Sequence, residues 1–193
     1  KDLRRILNDA KKRKKKRKKL NSLELDDDKP LKGKLIIQMY EKQSSRTRLS
    51  FHLSIAQLGG SSITIKASEL HLGKRGETLA DTAKILSTYG DAFMLRTDSD
   101  KKIENFAKYL SIPVINGLSP SSHPTQVLSD VFTVEEIKKK PISHLNICWI
   151  GDSNNVLDSL IAASVKFSFK LSIGCPKKLE PGKEVRAWVK KNN

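Results

Sequence analysis

Short apolar blocks alternate along the chain with longer segments whose apolar residues recur every three or four positions. The block Leu35-Ile36-Ile37-Gln38-Met39-Tyr40 marks a strand at about 34–40, and further strands are predicted near 62–66, 92–96, 113–116, 145–150 and 170–174. Helical spacing covers 2–19, roughly 46–58 up to Gly59-Gly60, 77–88, 101–110 and about 125–138, followed by an apolar helix that ends near Phe167. Asp26-Asp27-Asp28-Lys29-Pro30 reads as a turn-prone linker, and Pro181 opens one more helix. Alternation of this kind predicts an α/β fold with a mainly parallel sheet covered by helices. A first domain is expected over 1–138 and the start of a second α/β unit over 139–193. Ligands of such sheets bind beyond the carboxyl ends of the strands. Ser44–Thr47, Arg96 and His123 all fall at or just after predicted strand ends.

The segment Glu41-Lys42-Gln43-Ser44-Ser45-Arg46-Thr47-Arg48-Leu49-Ser50-Phe51 delivers hydroxyls and guanidinium groups to a helix start. Leu49, Ile55 and Leu58, with Phe51 nearby, set the apolar face of that helix. A helix start offers unpaired N–H groups and the positive end of the macrodipole, and a guanidinium fork suits phosphate. The same residues also fit an ordinary N-cap, Ser44, followed by surface arginines. Further along lie Leu95-Arg96-Thr97, Asn116-Gly117-Leu118, His123-Pro124-Thr125-Gln126 and Trp149-Ile150-Gly151-Asp152-Ser153-Asn154-Asn155. The last begins a βαβ pattern without the G-x-G-x-x-G glycines of a dinucleotide site.

In this order the motifs resemble the carbamoyltransferase family, whose phosphate loop reads Ser-Thr-Arg-Thr-Arg and whose second signature is His-Pro-x-Gln. Gly151-Asp152-Ser153-Asn154-Asn155, Leu72-Gly73 and Gly76-Glu77-Thr78-Leu79-Ala80-Asp81-Thr82-Ala83 are similar to its ornithine branch. The resemblance implies a parallel-sheet carbamoyl-phosphate domain followed by part of an ornithine-binding domain. It implies an enzyme that moves a carbamoyl group from carbamoyl phosphate to the δ-amine of L-ornithine, giving L-citrulline and phosphate, in arginine biosynthesis or the reverse catabolic direction. No metal or organic cofactor is implied. Alternatives are a different acceptor such as aspartate, or a noncatalytic phosphate- or nucleic-acid-binding protein on the same fold.

Carried over residue by residue, the resemblance assigns phosphate contacts to Ser44, Ser45, Arg46, Thr47 and Arg96. Ser45 stands where the family has Thr, so the hydroxyl remains and the methyl is lost. Arg46 and Thr47 are also expected to reach the carbonyl oxygen, and Arg48 either the ligand or a structural ion pair. His123 would donate to that oxygen and stabilise the tetrahedral oxyanion, while Gln126 would bind the carbamoyl amide. His71 occupies the position that reaches carbamoyl phosphate across a subunit interface, which implies a homotrimer with shared sites. The following Gly73-Lys74-Arg75-Gly76-Glu77 is one residue longer than the common form. Asn155 matches a residue for the amino-acid end of ornithine and also fits a helix N-cap. The family's later Asp-x-x-x-Ser-Met-Gly and His-Cys-Leu-Pro elements do not occur, and the chain does not begin with Met, so it is expected to be part of a longer protein. A cytoplasmic location, or the mitochondrial matrix in a eukaryote, is implied.

Charge adds one feature. The 193 residues carry a net charge of +16, and every position from Lys11 to Lys19 is Lys or Arg. Leu3, Ile6, Leu7 and Ala10 place this run on a helix, no aromatic residues interleave it, and a solvated helix face is expected rather than a nucleic-acid patch. Cys148 and Cys175 sit in apolar runs and are expected to be buried free thiols of a reducing compartment. No apolar stretch approaches the length of a membrane span, so a soluble protein is expected.

Overall fold

The computed structural model describes residues 2–70 and 76–192, which divide between two compact units, Lys1–Ser119 and Pro120–Asn193. The first contains α1 (Asp2–Arg17), β1 (Leu35–Tyr40), α2 (Ser45–Gln57), β2 (Ser61–Lys66), α3 (Leu79–Tyr89), β3 (Ala92–Arg96), α4 (Asp100–Tyr109) and β4 (Val114–Leu118). The second contains α5 (Pro124–Lys138), β5 (Asn146–Ile150), α6 (Asn155–Phe167), β6 (Lys170–Gly174) and α7 (Lys183–Asn192). Every strand and helix expected from the periodicity forms. Three short 3₁₀ turns, at Ala67–Glu69, Ile142–His144 and Lys177–Leu179, are additional.

In the first unit four strands pair in parallel in the order β2-β1-β3-β4. A parallel sheet covered on both faces requires strands that are apolar on both sides. Ile36 to Met39 and Ala92 to Leu95 are accordingly buried. Ile37, Met39, Phe93 and Leu95 face Ala83 and Leu86 of α3 and Phe106 of α4, with the Phe93 and Phe106 ring centroids 5.0 Å apart. Ile36 and Ala92 pack on the other side against Ile55 of α2. Leu49, expected on that helix's apolar face, is 65% exposed.

The basic run departs from expectation. Helix α1 ends at Arg17, and two of its arginines turn back onto the acidic linker instead of into solvent. Arg13 donates to Asp9, Asp26 and Asp28, and Arg17 donates to Asp26 at 2.6 Å. Asp26 is buried, because two guanidinium groups supply the charge a buried carboxylate needs. Most of the intervening lysines are exposed, as expected of a solvated face.

In the second unit β5 and β6 form a parallel pair. Ile142 N donates to the buried Glu135 carboxylate at 2.9 Å, which ties the end of α5 to the turn that follows. By packing, α5 thus groups with residues after 120. The cysteine expectation is corrected. Cys148 is exposed, and Cys175 is half-buried just beyond β6. Strand β5 alternates, burying neither Cys148 nor Ile150, so its apolar run is not a two-sided core strand. Among the described residues no helix is long and apolar enough to cross a membrane.

Candidate functional site

Strand order fixes where a ligand crevice opens. From β1 the chain passes to β2 on one side and then returns to β3 on the other. The switch point therefore lies between the carboxyl ends of β1 and β3, where Tyr40 pairs with Arg96. Residues 41–44 leave β1 there and enter α2, which puts Ser44, Ser45, Arg46 and Thr47 at the opening and Arg96 beside them.

Ser44 holds the N-cap position of α2 with extended backbone (φ −159°, ψ 96°), but its side chain makes no capping bond. The hydroxyls of Thr78 and Ser99 do cap α3 and α4. The first turn of α2 also has no acidic residue. Among the described residues, its first N–H groups thus receive no side-chain cap, and no carboxylate of its own first turn opposes its dipole. The ordinary-cap reading of Ser44 is met in position only.

Arg96 Nη1 donates to Thr47 Oγ1 at 3.0 Å, linking the end of β3 to the first turn of α2. Its Nε is buried without a partner among the described residues. Arg46 is exposed, and its side chain makes no hydrogen bond or ion pair among the described residues. The Arg48 side chain likewise has no such partner, so the structural ion pair considered for it does not form among the described residues. Burial pushes the Tyr40 hydroxyl up to about 12, against the opposing pull of Arg48 and Arg96. Tyr40 is therefore a neutral phenol, donating to Gln38 Oε1 at 2.8 Å. An open cavity of about 940 Å³ adjoins this helix start, lined among others by Ser44, Ser45, Arg48, Lys66 and Lys102. Lys66 and Lys102 escaped the sequence reading because neither lies in a motif. Only the parallel pairing of β1 with β2, and the packing of α4, bring them here.

In the second unit His123 is the N-cap residue of α5, and Pro124 occupies the first turn. His123 N donates to Ser159 Oγ at 2.7 Å, and Ser159 Oγ donates to Asn155 O at 2.8 Å, so one hydroxyl joins the starts of α5 and α6. Ser159 was not singled out in the sequence; it is a helical serine with no motif around it. Thr125 Oγ1 lies 3.3 Å from His123 Nδ1. Gln126 is exposed and donates to Asp130 at 2.9 Å. The N-cap considered for Asn155 belongs to Asn154, whose side-chain Oδ1 accepts from Val156 N and Leu157 N at 2.9 and 3.2 Å. Asn155 is the first helical residue of α6. His71 and Gly73 to Arg75 lie outside the described residues. Among the described residues no group of three or more His, Cys, Asp or Glu side chains could hold a metal ion.

These features define a class: an open, parallel α/β domain with a hydroxyl- and guanidinium-bearing helix start at its switch point. The chain belongs to the aspartate/ornithine carbamoyltransferase family. Residues 1–136 match the family's carbamoyl-P binding domain and residues 143–193 its Asp/Orn binding domain. It is 44% identical over 191 residues to the ornithine carbamoyltransferase of Brucella ovis, covering 99% of this chain and 59% of that one. It is 47% identical over 163 residues to that of Rhodopseudomonas palustris, covering 84% and 52%. The structure of the ornithine carbamoyltransferase from Pyrococcus furiosus superposes with a TM-score of 0.87 at 39% identity, over 99% of this chain and 59% of that chain. The chain thus spans about 59% of the length of such relatives.

Proposed function

We propose that the protein carrying this chain transfers the carbamoyl group of carbamoyl phosphate to the δ-amine of L-ornithine, releasing L-citrulline and phosphate. The observation that carries the reading is the uncapped start of α2, with the Arg96 guanidinium bonded to Thr47 beside it. Ser44, Ser45, Arg46, Thr47 and Arg96 hold the phosphate dianion through hydroxyls, N–H groups and guanidinium forks. Arg46, Thr47 and His123 act on the carbonyl oxygen, where negative charge develops as the neutral amine attacks. Gln126 binds the carbamoyl amide, Asn155 the amino-acid end of ornithine, and His71 the carbamoyl phosphate of a neighbouring subunit.

With this function we propose a homotrimer acting in arginine metabolism, in the cytoplasm or, in a eukaryote, the mitochondrial matrix. The division into a carbamoyl-phosphate domain over 1–138 and part of an ornithine domain over 139–193 is supported by the gap between the two family matches, 137–142. The test is product formation from carbamoyl phosphate with ornithine and, in parallel, aspartate, using protein of verified intact mass. Citrulline with no carbamoyl-aspartate is the expected result. Carbamoyl-aspartate as the main product would transfer the protein to the other acceptor, and no product from a full-length protein would refute the reading.

A further inference from the structure

Glu41 lies outside the Ser/Arg motif, yet it joins the strand ends that carry it. Its side chain is only 12% exposed, and both carboxylate oxygens accept hydrogen bonds. One accepts from the Thr97 hydroxyl and the other from the Lys102 ammonium. Glu41 N donates in turn to Arg96 O at 3.0 Å. Thr97 is fully buried; its N–H donates to Leu118 O at 3.1 Å, and its oxygen accepts from Ser99 N at 3.2 Å. Ser99 then caps α4 through Lys102 N at 3.3 Å. The ends of β1, β3 and β4 and the start of α4 therefore converge on one carboxylate.

We propose that Glu41 is the positioning residue that holds the start of α2 and Arg96 in a single relative geometry before any ligand arrives. The inference rests on the phosphate-binding reading of that site. Arg96 is the residue before Thr97, and Ser44 follows Glu41 after Lys42 and Gln43, so the two guanidinium- and hydroxyl-bearing pieces are attached on either side of this clamp. Without it, the backbone pairing, the packing of Ile55 on Ile36 and Ala92 and the Arg96–Thr47 bond remain, but the side-chain link between the ends of β1 and β3 is lost and the released Lys102 ammonium faces the cavity. The largely buried Glu41 carboxylate, paired with a partly exposed Lys102, also turns the Thr97 hydroxyl one way, fixing the turn that presents Arg96.

The experiment measures carbamoyl phosphate affinity by calorimetry, with thermal unfolding in parallel, on the full-length protein. Glu41→Ala should weaken binding about tenfold or more, and Glu41→Gln, which still accepts from Thr97 but loses the charge opposite Lys102, by less. On an Arg96→Ala background, Glu41→Gln should add almost nothing, because the group it positions is gone. Variants that melt earlier yet bind as the parent does would overturn the proposal, as would losses that simply add. Should Glu41→Ala fail to fold, the Glu41→Gln cycle with Arg96→Ala decides alone. A parent protein that binds no carbamoyl phosphate refutes the function itself, and this inference with it; a binding parent with unaffected Glu41 variants refutes the inference alone.

Discussion

Replacing Asp26 by Asn removes one negative charge from between two guanidinium groups while leaving shape and a hydrogen-bond acceptor in place. Arg13 and Arg17 reach the carboxylate at 2.7 and 2.6 Å. At that separation and an effective dielectric constant of about 20, each pair is worth about 6 kcal/mol before desolvation. Desolvation of three partly buried charges offsets most of this, and Arg13 keeps Asp9 and Asp28 as partners. A net loss of about 3 kcal/mol remains, the low end for breaking a buried pair. For a chain of this size it lowers the melting temperature by about 6–12 °C. Burial alone would raise the Asp26 carboxyl, but the hydrogen bonds from Arg13 and Arg17 outweigh it and hold it below the ordinary carboxylate value of 3.8. A lowered folded value means stability that is fully present above pH 3.8 and lost as pH falls through the folded value. Melting followed by circular dichroism should therefore show a gap between parent and Asp26→Asn at neutral pH that closes in acid below 3.8. A gap under about 1 kcal/mol at pH 7, or one that persists unchanged in strong acid, would refute the ion-cluster argument.

Arg46→Ala should abolish measurable carbamoyl phosphate binding and leave the circular dichroism spectrum unchanged, since the exposed side chain makes no hydrogen bond or ion pair with a described neighbour; calorimetry checks this, and unaltered affinity would remove Arg46 from the site. Changing Lys12, Lys15, Lys18 and Lys19 together to Gln should alter solubility and leave that affinity within about threefold, because these exposed charges act only through a screened long-range field. Cys148 should react with a maleimide in the native chain well before Cys175, read by peptide mass, given their exposures; equal rates would contradict the one-sided burial of β5.

The fold was legible wherever burial and periodicity agreed. Ile36 to Met39 read as a continuous apolar run because the strand is covered on both faces, and Gly59-Gly60 marked the end of α2 because a φ of +83° at Gly59 suits no other residue as well. The Ser/Arg helix start was legible because its residues are consecutive. What escaped depends on distance along the chain. The Arg96–Thr47 bond spans 49 positions and the Lys102–Glu41 pair 61, and neither leaves a periodic trace. The basic run misled for the opposite reason. Its composition states that charge is plentiful, while the folding back of Asp26 onto Arg13 and Arg17 is a tertiary event. The apolar run of β5 likewise could not declare which of its faces has a cover, and Cys148 was misplaced as a result.

The uncapped start of α2 also bears on any effort to make this protein hardier. Substituting Asp for Ser44 would supply a carboxylate for the missing capping bond and place a negative charge on the positive end of the helix dipole, a gain of about 0.5–1 kcal/mol. Such a change ranks among the first an engineer seeking heat resistance would choose. It would also fill, with the chain's own carboxylate, the place proposed for the substrate's phosphate. Selection for thermal endurance and selection for turnover therefore pull in opposite directions at this one residue, and variants enriched for robustness alone should lose the hydroxyl at position 44.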